Sequence, residues 1–148
     1  TPLLMGTAGN CGSQASTTVI RALALDQVAP KDFVKVGFKE VRVALLCSIV
    51  LAVANTVRII LMYWWVPEYA DYHVALLQVS LISGVSLIAI IVIAQLLGSL
   101  LPLIAKKLHV DPALMSAPVI STIMDTLSIL IYCLVIVITT NTFGWMLP

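Results

Sequence analysis

A single carboxylate interrupts the last apolar run of the sequence. The run from Asp111 to Tyr132 reads DPALMSAPVISTIMDTLSILIY and contains Asp125. An Asp at the centre of a membrane helix costs roughly 2.5 to 3.5 kcal/mol, so such an acid normally faces a bundle interior, a partner or a water-filled path. Asp125 is therefore the first candidate functional residue. The structural alternative is an acid that is hydrogen-bonded between helices or lies nearer the interface.

The composition places the chain in a lipid bilayer. Hydrophobic residues make up 61% of it and charged residues only 10%, whereas an ordinary soluble domain has about 25% charged residues. A membrane core takes roughly 20 residues of helix to cross, and apolar runs of that length fit four times. We expect an all-α, polytopic membrane helix bundle with about four membrane helices, forming one ion-conducting domain over residues 1–148. The net charge of +1 is too small to indicate nucleic acid binding.

The first predicted span, from about Pro2 to Leu25, is unusually polar and small in its interior, GTAGNCGSQASTT. Helical spacing puts one set of residues on a single polar face: Gly6, Gly9 or Asn10, Ser13, Thr17 and Arg21. A row of small residues would let another helix approach closely: Ala8, Gly12 and Ser16. The structural alternative is that the small residues serve only helix packing and that the polar residues hydrogen-bond to neighbouring helices.

Two further spans are predicted in the middle of the chain. The basic amphipathic segment KDFVKVGFKEVR suits a membrane interface, and the second span follows it, from about Val43 to Trp65. The third span runs from about Val74 to Leu101 and is expected to stop at Pro102 or soon after.

The last span begins with Asp111 as helix cap and Pro112 at the first helical position, and it is expected to run to about Thr140. Pro118, within its first two turns, is expected to kink it and free backbone carbonyls. One face then carries polar residues: Ser121, Thr122, Asp125, Ser128 and Tyr132. At 1.5 Å per residue Asp125 lies about 20 Å from Asp111, near mid-membrane.

The basic residues predict the orientation. All but Arg58 fall on one side of the predicted spans, and by the positive-inside rule that side is cytoplasmic. The end that carries Lys106 and Lys107 is then inside, and the C-terminus is outside.

The two polar faces suit a hard cation. Oxygen ligands with one carboxylate can hold a hydrated Mg2+, which keeps most of its waters. One acid per chain is too little charge for a divalent ion, but a two-fold dimer with a pore on its axis would supply two. Cysteine and histidine do not occur at the ligand spacing of zinc or copper sites.

Two motifs carry a resemblance. The first is GTAGNCGSQASTTVIRALAL, which is followed by a basic segment containing FKE, and the second is VDPALMSAPVISTIMDTLSILIY. With these motifs the sequence resembles the membrane domain of the MgtE family of magnesium channels over essentially the entire chain. The resemblance implies a homodimer in a bacterial inner or plasma membrane, with five membrane helices per subunit and a pore between the subunits. It also implies upstream cytoplasmic regulatory domains that sense magnesium. On this expectation the chain is a fragment without the first membrane helix and those domains.

The resemblance also implies roles for individual residues. Asp125 would recognise hydrated Mg2+, and Ser121 would supply a backbone carbonyl. Other residues are expected to line the pore: Gly9, Asn10, Ser13, Thr17, Ala117, Thr122 and Ser128. Where the family often has asparagine, this sequence has Ser13 and Ala117, so we expect broader selectivity among divalent ions such as Mn2+ and Co2+.

Three alternatives stay open from the sequence. A secondary Mg2+ exchanger coupled to Na+ or H+ could use the same acid. A structural membrane subunit would use the polar stripes only to hold helices together. An intramembrane aspartyl protease would need two membrane acids, and only Asp125 is found, so we do not expect an enzyme.

Overall fold

The computed structural model describes residues 2–66, 73–115 and 117–143, and within these ranges the chain is all-helical. Four long helices occur in it, each linked to the next along the chain: α1 Pro2–Ala24, α2 Phe33–Trp65, α3 His73–Lys107 and α4 Ala117–Phe143. Short 3-10 helices occupy Pro30–Asp32 and Pro112–Met115. The predicted helix-bundle class is confirmed.

Among the described residues, three helical stretches are both long and apolar enough to cross a membrane: Pro30–Trp65, Leu76–Lys107 and Ala117–Thr142. The first helix, α1, has the length of a span with 23 residues, but its Gly, Ser and Thr content makes it less apolar. A helix of that composition suits a position where other helices shield it from lipid. In the bundle it packs against both α3 and α4.

The bundle is organised around α3, which packs against α1, α2 and α4. Its buried side chains form the middle of one apolar cluster, and these are Leu87, Ile90, Ile91 and Ala94. A second cluster joins the ends of α1 and α3 to the start of α2 through Val19, Leu23, Val36 and Leu103. Lipid tails are as apolar as leucine, so close packing rather than burial from water holds such helices together.

The second helix is longer than predicted, because it begins at Phe33 rather than Val43. The basic segment is therefore the first part of a membrane helix and not a separate interfacial element. No proline interrupts it, and Gly37 is tolerated inside the helix because the side chains of Leu96 and Leu100 pack over it.

The third helix ends at Lys107, five residues after Pro102, rather than at about Leu101. Proline removes one helical hydrogen bond, but the residues after it are anchored by packing, with Leu103 only 1% exposed and Ala105 only 3%. The helix ends where His109 takes a left-handed conformation at φ 58°. Val110 N–H then donates to the Ala105 carbonyl at 2.8 Å, which is the pairing of a Schellman cap.

The predicted start of the last helix also needs correction. Asp111 accepts a hydrogen bond from Ala113 N–H at 2.9 Å and begins a 3-10 helix, while α4 begins only at Ala117. Pro118 thus lies in the first turn of α4, where its missing N–H would have no helical partner, and it does not kink a helix interior. Counted from Ala117, Asp125 lies about 12 Å along the axis.

The basic residues gather at one end of the bundle. Pro30 and Phe33 share a small cavity with Leu103 and Lys107, so the connection between α1 and α2 lies beside the end of α3. Arg58 shares a cavity with Leu3 and Thr7 at the start of α1, towards the opposite end. The expectation for the C-terminus falls largely on residues 144–148, which lie outside the described residues.

Candidate cation site

The two predicted polar faces meet where α1 packs on α4. A Cβ atom placed on Gly9 would lie 3.4 Å from Ser121 Oγ, so the α1 backbone reaches the Ser121 side chain. Gly9 is buried by this contact. A methyl group at this position would be in van der Waals contact with Ser121, and a larger side chain would have to displace it.

Asp125 follows Ser121 by one helical turn and is half-buried. No hydrogen bond or ion pair joins its side chain to another residue in the described part of the chain. The Asp125 side chain therefore lies partly exposed at the surface of the bundle, and no residue of a neighbouring helix in the described ranges holds it by a hydrogen bond or an ion pair. The structural alternative of an acid hydrogen-bonded between helices of one chain is not what the described residues show.

Polar residues continue from this point over the surface of α1 and α4. Asn10 and Thr17 are exposed on α1, Thr122 and Ala117 are exposed on α4, and Ser13 is half-exposed. We call the set Asn10, Ser13, Thr17, Ser121, Thr122 and Asp125 the polar stripe.

Three hydroxyl groups of the polar stripe donate to carbonyls of their own helices. Thr17 Oγ1 donates to the Ser13 carbonyl at 2.9 Å, Ser13 Oγ to the Asn10 carbonyl at 3.1 Å, and Thr122 Oγ1 to the Pro118 carbonyl at 2.9 Å. A hydroxyl has one donor and two acceptor lone pairs. With the donor used, each oxygen still presents lone pairs, which can accept hydrogen bonds from the water shell of a cation.

Ser128 was expected on the same face, but it lies between helices of the chain. It is 2% exposed, and its Oγ donates to the Met124 carbonyl at 2.6 Å. Successive helical residues are 100° apart, so Ser128 lies about 60° from Asp125 on one side and Thr122 about 60° on the other. The inward rotation of α4 buries the first and exposes the second.

The predicted row of small residues is a packing surface. Ala8 is fully buried and Ser16 is 1% exposed. A Cβ on Gly98 would meet the Gly12 carbonyl, and its nearest approach to Gly12 Cα would be 2.9 Å. The backbones of α1 and α3 therefore touch at these two glycines, which fixes the helix that carries half of the polar stripe.

Two features were missed by sequence reasoning. Asn55 is buried and bridges α2 to α3, since its Nδ2 donates to Ser83 Oγ at 3.0 Å while its Oδ1 accepts from Arg58 at 3.0 Å. Glu40 is buried at 7% exposure. Small and polar residues recur at four-residue spacing along this face of α2, at Glu40, Ala44 and Ser48, and that period is the signal that could have found them.

The fold and the polar stripe define an integral membrane helix bundle that presents oxygen donors and an acid on its surface, as expected of a membrane transport protein. A family model described as a divalent cation transporter, MgtE, matches residues 1–135. The chain belongs to the MgtE family.

Curated relatives agree with this assignment. The magnesium transporter MgtE of Thermus thermophilus is 40% identical over 131 residues, covering 88% of this chain and 26% of the relative. The magnesium transporter MgtE of Bacillus subtilis is 33% identical over 135 residues, covering 88% and 27%, and that of Enterococcus faecalis is 33% identical over 130 residues, covering 88% and 26%. The chain thus spans about a quarter of the length of these relatives.

Proposed function

We propose that this chain forms the ion-conducting part of a Mg2+ channel or transporter, in which Asp125 holds the hydrated ion. The observation that carries the proposal is the polar stripe on the outer surface of a membrane bundle. Polar groups that face lipid lose their hydration without compensation, so this surface needs water, a partner or both. A water-filled path along the stripe would supply that environment.

A homodimer completes the proposal. Two copies related by a two-fold axis present the same surface to each other, so two polar stripes would enclose one path. Two Asp125 carboxylates would then match the charge of one divalent cation. Mg2+ gives up its waters reluctantly, and the outward lone pairs of Ser13, Thr17 and Thr122 suit contact through water rather than direct coordination.

The rest of the proposal concerns orientation and selectivity. The end of the bundle with Lys106 and Lys107 faces the cytoplasm, by the preference of basic residues for that side. Ser13 and Ala117 replace amides that would hold the water shell, so Mn2+ and Co2+ are expected to pass as well. Competition of these ions with Mg2+ flux tests this point.

Mg2+ flux into proteoliposomes tests the function. Asp125→Ala is expected to lower flux at least about tenfold, which corresponds to about 1.4 kcal/mol of lost ion stabilisation. Asp125→Glu keeps a carboxylate and should retain part of the flux. Asp26→Asn, which alters an exposed acid on the loop after α1, serves as the matched control and should leave flux unchanged.

Full flux in Asp125→Ala would refute the proposal. Flux that requires a Na+ or H+ gradient would favour the coupled exchanger over a channel. If the protein in detergent and in nanodiscs has the mass of a single copy, the proposal of a path between two subunits is refuted.

A further inference from the structure

A cavity of about 460 Å³ lies between the last part of α1 and the first part of α2, at the end of the bundle where the basic residues gather. The two helices are held side by side chiefly by α3, against which both of them pack. Apolar side chains line the cavity from both helices and the loop between them, and these are Val19, Ala22, Val28, Val36 and Phe38. Sites for small molecules have volumes of about 300 to 1,000 Å³ and are mostly apolar with a few polar groups. The cavity has this size and lining, and its charged residues indicate which ligand fits.

The cavity lies at the depth where a membrane changes from headgroups to hydrocarbon. The helix α2 has 33 residues and is about 50 Å long, whereas the hydrocarbon core is about 30 Å thick, so part of α2 projects from the core. Trp64 and Trp65 are exposed and suit the opposite interface. Counting back about 20 residues, the length that crosses the core, reaches the residues just after Arg42. Arg42 therefore lies at the near edge of the core, and Lys39 and Lys35 lie at the level of the headgroups.

Three basic side chains line the cavity from one face of α2. Lys35, Lys39 and Arg42 follow one another at spacings of four and three residues, which puts neighbouring Cβ atoms about 5 to 6 Å apart. All three are exposed, and no ion pair joins any of them to an acid in the described part of the chain. Arg42 is stacked over the Phe38 ring at 4.5 Å, so its guanidinium lies one turn back along the helix, at the level of Lys39. With their long, flexible side chains, the three cations can converge on one phosphate group.

Two acids also line the cavity, and they limit the charge that it accepts. Asp32 accepts a hydrogen bond from Ala29 N–H at 2.9 Å and so stabilises the turn before α2. Glu40 lies deeper, at 7% exposure. Three basic and two acidic groups leave one net positive charge, which matches an anion with a single negative charge. A carboxylate only accepts hydrogen bonds, so Glu40 favours an anion that also carries hydroxyl donors.

An apolar surface continues from the basic residues towards the middle of α2. Leu46, Val50 and Val53 are exposed, and the helical period puts them on the same face as Lys39 and Arg42. A free phosphate would leave this surface unused. A phosphate that carries acyl chains fits both the cations and the apolar face beyond them.

We propose that the cavity binds the headgroup of an anionic phospholipid that has one negative charge and hydroxyl groups on its head, as phosphatidylglycerol has. Its phosphate binds Lys35, Lys39 and Arg42, its hydroxyl groups donate to Glu40, and its acyl chains lie along α2. The inference is independent of the proposed function, because neither Asp125 nor a transported ion takes part. A lipid bound here would hold α1, which carries half of the polar stripe, next to the start of α2.

Native mass spectrometry measures the binding of single lipids. The full-length protein in detergent is titrated with phosphatidylglycerol or with phosphatidylcholine of the same acyl chains, and the dissociation constants of the first bound lipid are compared. Each basic residue close to anionic lipid contributes roughly fivefold to binding. We therefore expect the wild-type protein, with one net positive charge in the cavity, to bind phosphatidylglycerol at least about fivefold more tightly than phosphatidylcholine. Lys35→Gln combined with Lys39→Gln should weaken phosphatidylglycerol binding by about 25-fold and leave phosphatidylcholine binding unchanged.

The role of Glu40 is tested with a second anionic lipid. Phosphatidylmethanol has the same charge as phosphatidylglycerol but no hydroxyl groups on its head. A hydrogen bond to a carboxylate should make phosphatidylglycerol about tenfold the tighter ligand of the wild-type protein. Glu40→Leu removes the acceptor, so the two lipids should bind this variant equally. Equal binding of the two lipids to the wild-type protein would refute the hydrogen bond to Glu40.

Two double variants control for charge and for folding. Lys106→Gln combined with Lys107→Gln removes the same charge from the end of α3, outside this cavity, and should leave phosphatidylglycerol binding at the wild-type level. Lys35→Arg combined with Lys39→Arg keeps the charge and should keep the binding. A large excess of glycerol 3-phosphate, a soluble anion without acyl chains, should not displace the lipid.

Three results would overturn the proposal. The wild-type protein binds phosphatidylglycerol no more tightly than phosphatidylcholine, which would favour an acidic protein segment as the occupant of the cavity. The two lysine-to-glutamine pairs weaken binding equally, which would indicate attraction to the general surface charge. Glycerol 3-phosphate displaces the lipid, which would indicate a site for a soluble anion.

Discussion

The contact between Gly98 and Gly12 provides a sharp test of how the bundle is held together. A Cβ on Gly98 would collide with the Gly12 carbonyl and lie 2.8 Å from its carbonyl carbon. These are backbone atoms, which cannot rotate away as a side chain could. Gly98→Ala therefore requires α1 and α3 to move apart along their whole contact.

The size of the effect follows from two opposing contributions. Overpacking a close-packed site costs about 1 to 3 kcal/mol, and the upper end applies because the obstacle is backbone. Alanine returns about 1 kcal/mol through its better helix propensity. We expect Gly98→Ala to destabilise the fold by about 2 kcal/mol, which raises the ratio of unfolded to folded protein roughly thirtyfold.

Gly84→Ala is the matched control in the same helix. A Cβ on Gly84 meets nothing within 4 Å, so this variant gains the helix propensity of alanine, up to about 1 kcal/mol, without a clash. The two variants should differ by about 3 kcal/mol, the sum of these contributions. Fluorescence-detected size-exclusion after heating would show a lower melting temperature for Gly98→Ala and an unchanged or higher one for Gly84→Ala. Equal melting temperatures would refute the close contact of α1 with α3.

Two further substitutions test smaller features. Asn55→Ala removes the hydrogen bond to Ser83 and the acceptor for Arg58, so it should lower the stability of the fold by about 1 kcal/mol, the order of interhelical hydrogen bonds in membranes. The same heating assay measures this loss. Asn141→Ala, at an exposed position, should leave the melting temperature unchanged. Ser128→Ala should leave Mg2+ flux at the wild-type level, because the hydroxyl is buried and bonded within α4, and a loss of flux in a folded protein would return Ser128 to the path.

The sequence was sufficient for the class of fold and for the existence of the polar faces. Apolar runs of membrane length leave few options, and the row Ala8, Gly12 and Ser16 predicted a close helix contact that the structure confirms. It could not identify Gly98 as the partner, because many small residues occur in α3. Which helices touch is decided by the whole bundle and not by one helix.

Helix ends and the rotation of helices were predicted less well. Local rules predict that Pro102 ends the helix, but Leu103 and Ala105, which follow it, are both buried, and their packing stabilises the last turn of α3. The helical spacing places Ser128 and Thr122 equally close to Asp125, and only the packing of α4 decides that Ser128 is buried and Thr122 is exposed. Asp125 is a candidate because of the cost of an acid in an apolar helix, whereas the burial of Glu40 was hidden among the charges of a basic segment.

The accessibility of the polar stripe to water and to Mg2+ can be measured at Ser121. In a protein whose natural cysteines are replaced, Ser121→Cys should react with a charged thiosulfonate reagent, while Leu130→Cys, on another side of α4 and 60% exposed, should react little in nanodiscs. Mg2+ should slow the reaction at position 121, and adding Asp125→Ala should abolish that protection. A Ser121→Cys protein that reacts no faster than Leu130→Cys, or that Mg2+ does not protect while Asp125 is present, would contradict a cation path along α4.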